Sequence, residues 1–211
     1  MDGSHSSREP AAASSRRCTI DREEQAVLTA VLQSMESGSV LVVESRTDSS
    51  HFARTFKLSE LLLGETTSDL SAQLNAAPSR STFFLPSPPP IIPLKAQQEI
   101  EEEYRRKLSE PCNIPVMRTG PKQGLFESPA KVEEIFSGTD LSRRWRRFHK
   151  VFGEDAELDT FSRVAFDRAR QYALVHVSSG LSSVAGGGDL YLLRCRNGKW
   201  SIEQTFSRWA T

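Results

Sequence analysis

Cysteine is scarce and unpatterned in this 211-residue chain: Cys18, Cys112 and Cys195 lie far apart and no CxxC pair occurs. That excludes zinc ribbons and thioredoxin-type sites, which need two thiols at close spacing. Reduced thiols packed as small apolar residues are the plainer reading; a Cys112–Cys195 disulfide fits an exported protein and leaves Cys18 unpaired. Histidine is as sparse. Its four copies, at positions 5, 51, 149 and 176, show neither HxxxH nor HExxH spacing, so no metal site is read from them. No apolar run approaches the ~20 residues that span a bilayer. Charge excess is missing too, since 27 basic and 27 acidic residues cancel. That argues against a nucleic-acid protein, whose footprint is a basic surplus. Neither GxxxxGK[ST] nor GxGxxG is present, and no cofactor is implied.

What is there suits one α+β domain from about residue 18 to 211, preceded by a disordered tail over residues 1–17 that has nothing to bury. The tail lacks the apolar centre of a signal peptide. As a native start it places the protein in the cytoplasm; with a leader removed, the protein is exported. Val27, Leu28, Val31, Leu32 and Met35 recur at helical spacing behind an Asp21/Glu24 capping box, with Gly38 as a stop. Val40 to Glu44 reads as a buried strand, and Leu58–Leu63 and the segment from Ser68 read as short helices. Five prolines between Pro86 and Pro93 fix an extended path whose flanking Phe83, Phe84, Ile91 and Ile92 lay it on its own domain. A charged helix with an Ile100/Tyr104/Leu108 stripe follows, then an irregular connection over 111–130. The run from Lys131 to Phe136 reads as another short helix. Asp140 caps a helix through Phe152 whose Trp145 and Phe148 face the core.

From Thr160 the period becomes two, and four strands are expected, at 161–167, 171–178, 189–196 and 199–206. Short connections make them a four-stranded antiparallel meander, closing a fold whose N-terminal part is helical and irregular. Asn197-Gly198 supplies the last turn, because both residues tolerate positive φ. Gly186, Gly187 and Gly188 precede a strand, whereas an anion-binding loop opens a helix. They therefore read as a flexible or bulged strand entry.

One pair tempts with chemistry. A three-residue loop at Arg168–Arg170 places Ser162 opposite His176, with Phe166 facing Tyr172 and Val164 facing Leu174. A Ser–His contact is the seed of a nucleophilic pair, though no acid is identifiable to orient the imidazole. Arg143, Arg146, Arg147 and Lys150 alternate with aromatics in a way that suits RNA or an anionic surface, yet helical geometry turns them away from Trp145 and Phe148. Arg163 is placed to hold a loop carboxylate or a C-terminal group.

Trp145-to-Phe148 "WRRF", "FSRVAFD", "ALVHVS" and "GDLYLLRCRNGKW" resemble segments of a set of uncharacterised bacterial proteins carrying WxxF, SRVGFN, ALVY, GxYxLL and GxW. The likeness covers roughly the last third of the chain well. Ala165 and Asp167 depart from the pattern's glycine and asparagine, and cysteines expected near Ser182 and Ala185 are absent. The resemblance implies no activity. Its recurring residues imply a packed core with one buried polar link. The helices-plus-meander outline also resembles, in shape alone, the cone-shaped folds related to nuclear transport factor 2. The leading expectation is a non-catalytic binding or interaction domain whose partner is a protein or small ligand, with the proline-rich segment and the loop from Pro111 to Pro129 as its candidate surfaces. The alternative is a small hydrolase-like enzyme using Ser162 and His176. Arg163, Arg146 and Arg147 stand as candidate binding residues.

Overall fold

Helix α1 (Arg22–Ser34) starts where Asp21 turns its carboxylate back onto the N–H groups of Glu23 and Glu24, at 2.9 and 2.8 Å. Glu24 reciprocates by accepting from the Asp21 N–H at 3.1 Å, which completes the capping box. Two orphan amides of the first turn are thereby satisfied, a contribution of about 1 kcal/mol for such a cap. The helix ends at Ser34, ahead of the expected Gly38, and buries Val27, Leu28, Val31 and Leu32. The computed structural model describes residues 18–35, 40–47, 92–108, 110–117 and 125–210. The 1–17 tail, the expected helices at Leu58–Leu63 and from Ser68, and the proline-rich segment as far as Ile91 lie outside those residues.

After β1 (Leu41–Glu44), helix α2 (Leu94–Lys107) starts at Pro93, and buries Ala96, Ile100, Tyr104 and Lys107. A three-residue strand, β2 (Leu125–Glu127), occupies the end of the segment expected to be irregular, and helix α3 (Pro129–Ile135) forms where a short helix was expected, starting two residues before Lys131. Helix α4 (Leu141–Phe152) is capped by Asp140, whose carboxylate accepts from the Arg143 N–H at 3.0 Å, and it stops at Gly153, where φ is 111°. Strands β3 (Glu157–Phe161), β4 (Ala165–Phe166), β5 (Tyr172–Gly180), β6 (Gly186–Arg196) and β7 (Lys199–Ala210) complete the fold.

The α+β class holds, but the sheet is not a four-stranded antiparallel meander. Among the described residues it has seven strands in the order β2-β1-β3-β5-β6-β7, with β4 also pairing with β5. It is mixed: β1 runs parallel to both β2 and β3, and the remaining pairs are antiparallel. Two local causes hide the extra strands. β2 is too short to show a period, and β3 alternates Leu158 and Thr160 with Asp159 and Phe161, a pattern whose buried carboxylate disguises it. The parallel pairs also join residues far apart in the chain, which no hairpin signal announces.

The strand expected over 161–167 is in fact interrupted. Phe161 pairs with Val177, whereas Ala165 pairs with Leu174 and Phe166 with Ala173, so one extra residue bulges out between β3 and β4. The loop after β4 is also one residue longer than expected, with Asp167 N–H donating to the Tyr172 carbonyl at 3.2 Å and Arg170 at φ 55°. These two shifts cancel at Ser162, which still lies opposite His176, but they break the expected Val164/Leu174 and Phe166/Tyr172 pairings. The Asn197-Gly198 turn forms as read, with φ of 53° and 73°.

Register partners share a face of the sheet, so the pairings assign every side chain to one of two layers. α1 covers one face, packing Val27, Leu28 and Val31 on Val43, Phe161, Val175, Val177 and Leu193. The other face is shared. α2 lays Ile100 and Tyr104 on Leu174, Leu190 and Leu192, while α3 and α4 lay Ile135 and Phe148 on Val42 and Leu158. Between α2 and α4 this second face carries Thr160, His176, Ser178 and glycines in place of large apolar residues.

A disulfide joins Cys18 to Cys112, and Cys195 is the free thiol. This corrects both expectations, reduced thiols throughout and a Cys112–Cys195 pair. Cys112 lies on a segment threaded between residues 18–20 and 45–47, where Asn113 N–H donates to the Cys18 carbonyl at 2.8 Å and Ile114 N–H to the Ser45 carbonyl at 2.8 Å. That threading puts Cys112 beside Cys18, whereas Cys195 sits on β6 opposite Trp200.

Candidate functional site

The Ser162/His176 pair is brought together, but through backbone. Ser162 N–H donates to the His176 carbonyl, and His176 N–H donates to Ser162 Oγ, each at 2.9 Å. Ser162 Oγ also donates to the Arg163 carbonyl at 2.9 Å. The hydroxyl thus fills the role of a ladder carbonyl at the bulge, which accounts for a serine at this spot. Both residues are buried. Tyr104, whose hydroxyl is pushed up to about 12 by burial against the opposing effect of Ser162, packs beside them.

Arg163 holds a carboxylate, though neither a loop nor a C-terminal one. Its Nε and Nη2 bind Glu24 Oε1 and Oε2 at 3.0 and 3.1 Å, a bidentate pair on the same glutamate that closes the α1 capping box. Lys107 Nζ adds Glu24 Oε1 at 3.0 Å, Glu103 Oε1 at 3.2 Å and the Val164 carbonyl at 2.7 Å. Two carboxylates and two cations therefore balance inside the fold and lock α1, α2 and the bulge together. Lys107 is the member that sequence reasoning missed: it is buried at i+3 from Tyr104, beside Leu108, which continues the Ile100/Tyr104 stripe as expected.

Arg146 and Arg147 do not form a joint site. Arg147 donates to the Ser137 carbonyl and Arg144 to the Gly138 carbonyl, tying α4 to the turn before it, while Arg146 stands exposed on the far side.

Among the described residues, two grooves of similar size stand out. One, about 470 Å³, lies between α2 and the β4–β5 turn and is walled by charged residues. Its three arginines are all paired: Arg168 meets Glu99 at 3.6 Å, Arg106 meets Glu103 at 3.5 Å, and Arg170 meets Glu23, outside the groove, at 3.0 Å while its guanidinium lies 4.3 Å above the Phe166 ring. It reads as the ion-paired seam of the turn.

The other, about 460 Å³, lies between the first half of α4 and the β5–β6 end of the sheet. Its floor comes from the glycine run. Gly186 pairs with Gly180, Gly187 with Ser179, and Gly188 with Ser178, which puts Gly180, Gly186, Gly188 and Ser178 on the helix-facing side with almost no side-chain bulk. Trp145 leans into that gap. A Cβ on Gly180 would meet the indole at 2.8 and 2.9 Å, so only glycine admits the ring at its present position. Phe136 and Phe148 hold the indole from behind, with ring centroids at 5.1 and 5.2 Å. Leu141 and Val184 form an exposed apolar rim. The glycines are not an entry ahead of the strand as expected: they lie inside β6 and pair in regular register with β5, and the register shift between Gly188 and Asp189 places its extra residue on β7, while the bare floor is a consequence that the sequence did not announce.

On the opposite face of the same strands lies a buried acid. Asp159 accepts a hydrogen bond from Ser179 Oγ, and among the described residues its Oδ2 has no hydrogen-bond partner. Burial raises its carboxyl to about 7, the Ser179 hydrogen bond opposes that, and Glu157 adds to it. Tyr191 is pushed to about 12, by burial first and then by Asp189 and Asp159.

Among the described residues no group of three His, Cys, Asp or Glu side chains is placed to hold a metal, and no helix is long and apolar enough to cross a membrane. Comparison with family models, with curated proteins and with solved structures gives no match to this chain.

Proposed function

We propose that this chain is a non-catalytic binding domain and that its ligand seat is the groove beside Trp145 on the glycine-bearing floor of β5 and β6. The observation that carries this reading is Trp145 over Gly180. Glycine within strands sacrifices packing and backbone entropy, roughly 0.5–1 kcal/mol per residue against alanine, and marks places where something approaches the backbone closely. Here three such residues share one patch beside an aromatic wall. A groove of about 460 Å³ falls inside the 300–1,000 Å³ range of small-molecule sites.

The second reading, a hydrolase built on Ser162 and His176, has no observation in its favour: the serine hydroxyl is engaged by backbone on both sides. Binding is tested with the neutral dye Nile red. One saturable site with blue-shifted emission is expected, weakened at least tenfold by Ser178→Phe, which fills the floor. Equal dye binding by the variant, with unchanged circular dichroism, places the apolar site elsewhere and overturns the assignment.

A further inference from the structure

The groove's lining also restricts what it takes, and this rests on the binding reading above. Among the described residues no ionisable side chain lines it. His176 shares this face two positions before Ser178 but is buried outside the lining, and the charged residues nearest in sequence are turned elsewhere. Asp159 lies on the other face of β3, with Glu157 on its side by alternation, and Asp189 pairs with Val177 on that same face. Arg143, Arg146 and Lys150 lie on the side of α4 away from Phe148, and Arg143 approaches Asp140 at 3.8 Å. The polar groups that do line the groove are hydroxyls: Thr160 and Ser178 on the floor, Ser182 and Ser183 on the loop. Hydroxyls donate or accept with equal ease and orient a polar atom, but they do not neutralise a charge. A charged ligand would shed its hydration here without gaining a counter-ion, a penalty of several kcal/mol per ion in apolar surroundings. The wall is a single indole set against flat backbone, so the space is a slot with one aromatic side. Offset or edge contact with that ring rewards a rigid planar body, which also loses little conformational entropy on entry.

We infer that the groove takes an uncharged small molecule built on a planar ring, seated beside Trp145 over the Ser178/Gly186 floor, with one polar atom directed at the Ser and Thr hydroxyls.

The test uses a series that varies one property at a time: 2-naphthol, 2-naphthoate, 2-naphthylmethylammonium and the neutral chain 1-octanol. Each is titrated at pH 7 while the backbone amide resonances of Gly180, Gly186 and Gly188 are followed by NMR. Saturable shifts of these amides with 2-naphthol are expected, with both charged analogues at least tenfold weaker and octanol weaker than naphthol. Val184→Asp alters only a rim residue that is 79% exposed, so the fold is retained. It is expected to weaken naphthol at least tenfold and to favour the ammonium analogue over the carboxylate. Charged analogues binding as well as naphthol would overturn the uncharged class, and octanol binding as well would overturn the planar ring; in both cases the groove itself stands as a site. No glycine shift with any probe would remove the groove as a site, and the binding reading with it. Glycine shifts that grow with protein concentration alone would mean that a second copy of the chain fills the slot, which likewise overturns the inference.

Discussion

Trp145 and Gly180 are fitted to each other: the indole of the helix occupies the space that a Cβ on the strand would need, within 2.8 Å. Gly180→Ala forces the ring outward against Phe136 and Phe148, which leave it little room. Alanine regains roughly 0.5–1 kcal/mol of strand entropy, but overpacking costs about 1–3 kcal/mol, so the steric term wins. A lower urea midpoint and altered tryptophan emission are expected together. A midpoint equal to or above the parent's would show that the indole is not confined.

The Glu24–Arg163 pair joins residues 139 positions apart and is nearly sealed from water. Removing Glu24 strips Arg163 of its bidentate carboxylate and leaves Lys107 with Glu103 alone, and removing Arg163 leaves Glu24 with Lys107 alone, so Glu24→Gln or Arg163→Met is expected to cost about 3–5 kcal/mol. Arg163→Lys is expected to recover little, because one ammonium cannot reproduce the bidentate fork. Chemical denaturation of the three variants decides it; a loss below about 1 kcal/mol would reduce the cluster to a surface-like pair.

Asp159 imposes a pH dependence of definite sign. Its folded carboxyl titrates near 7 against a reference of 3.8, so between those values the folded chain holds a proton that the unfolded chain has released. The stability it permits is complete below the unfolded value and is lost as pH rises through the folded one, at up to ~1.4 kcal/mol per pH unit. Urea midpoints measured from pH 4.5 to 8 are expected to fall more steeply for the parent than for Asp159→Asn, whose amide is neutral throughout. Parallel profiles would show that Asp159 is already ionised in the folded chain at low pH.

Reduction reports on the Cys18–Cys112 bond, which spans 94 residues of chain. Cross-linking a loop of that size contributes about 4–5 kcal/mol on the chain-entropy estimate. A reductant is expected to lower the Tm by many degrees, Cys18→Ser to match it, and Cys195→Ser to have little effect. Iodoacetamide applied to the denatured, unreduced protein is expected to label Cys195 alone. Labelling of Cys18 in its place would restore the Cys112–Cys195 alternative.

Much of the second half was legible because its signals are local. Asp21 with Glu24, and Asp140 ahead of the aromatic helix, announce their caps, and Asn197-Gly198 announces its turn. The β5, β6 and β7 segments alternate as strands should, and they form as read, each longer than expected. The candidate site was half legible. Trp145 was recognised as a core aromatic and Gly186–Gly188 as strand geometry, but nothing in the chain placed them opposite each other.

What the amino-acid order determined alone is therefore the set of elements whose cause lies within a few residues: caps, helix faces, tight turns and alternating strands. Tertiary structure decided the rest. It chose Glu24 as the partner of Arg163, Cys18 as the partner of Cys112, and the short β2 and polar β3 as parallel neighbours of β1. Partner choice between distant charges, thiols and strands carries no local pattern, because it depends on which groups are buried side by side once the helices have covered the sheet. The glycines show the division best. Their sequence said that no side chain was wanted there, and only the packing of Trp145 said why.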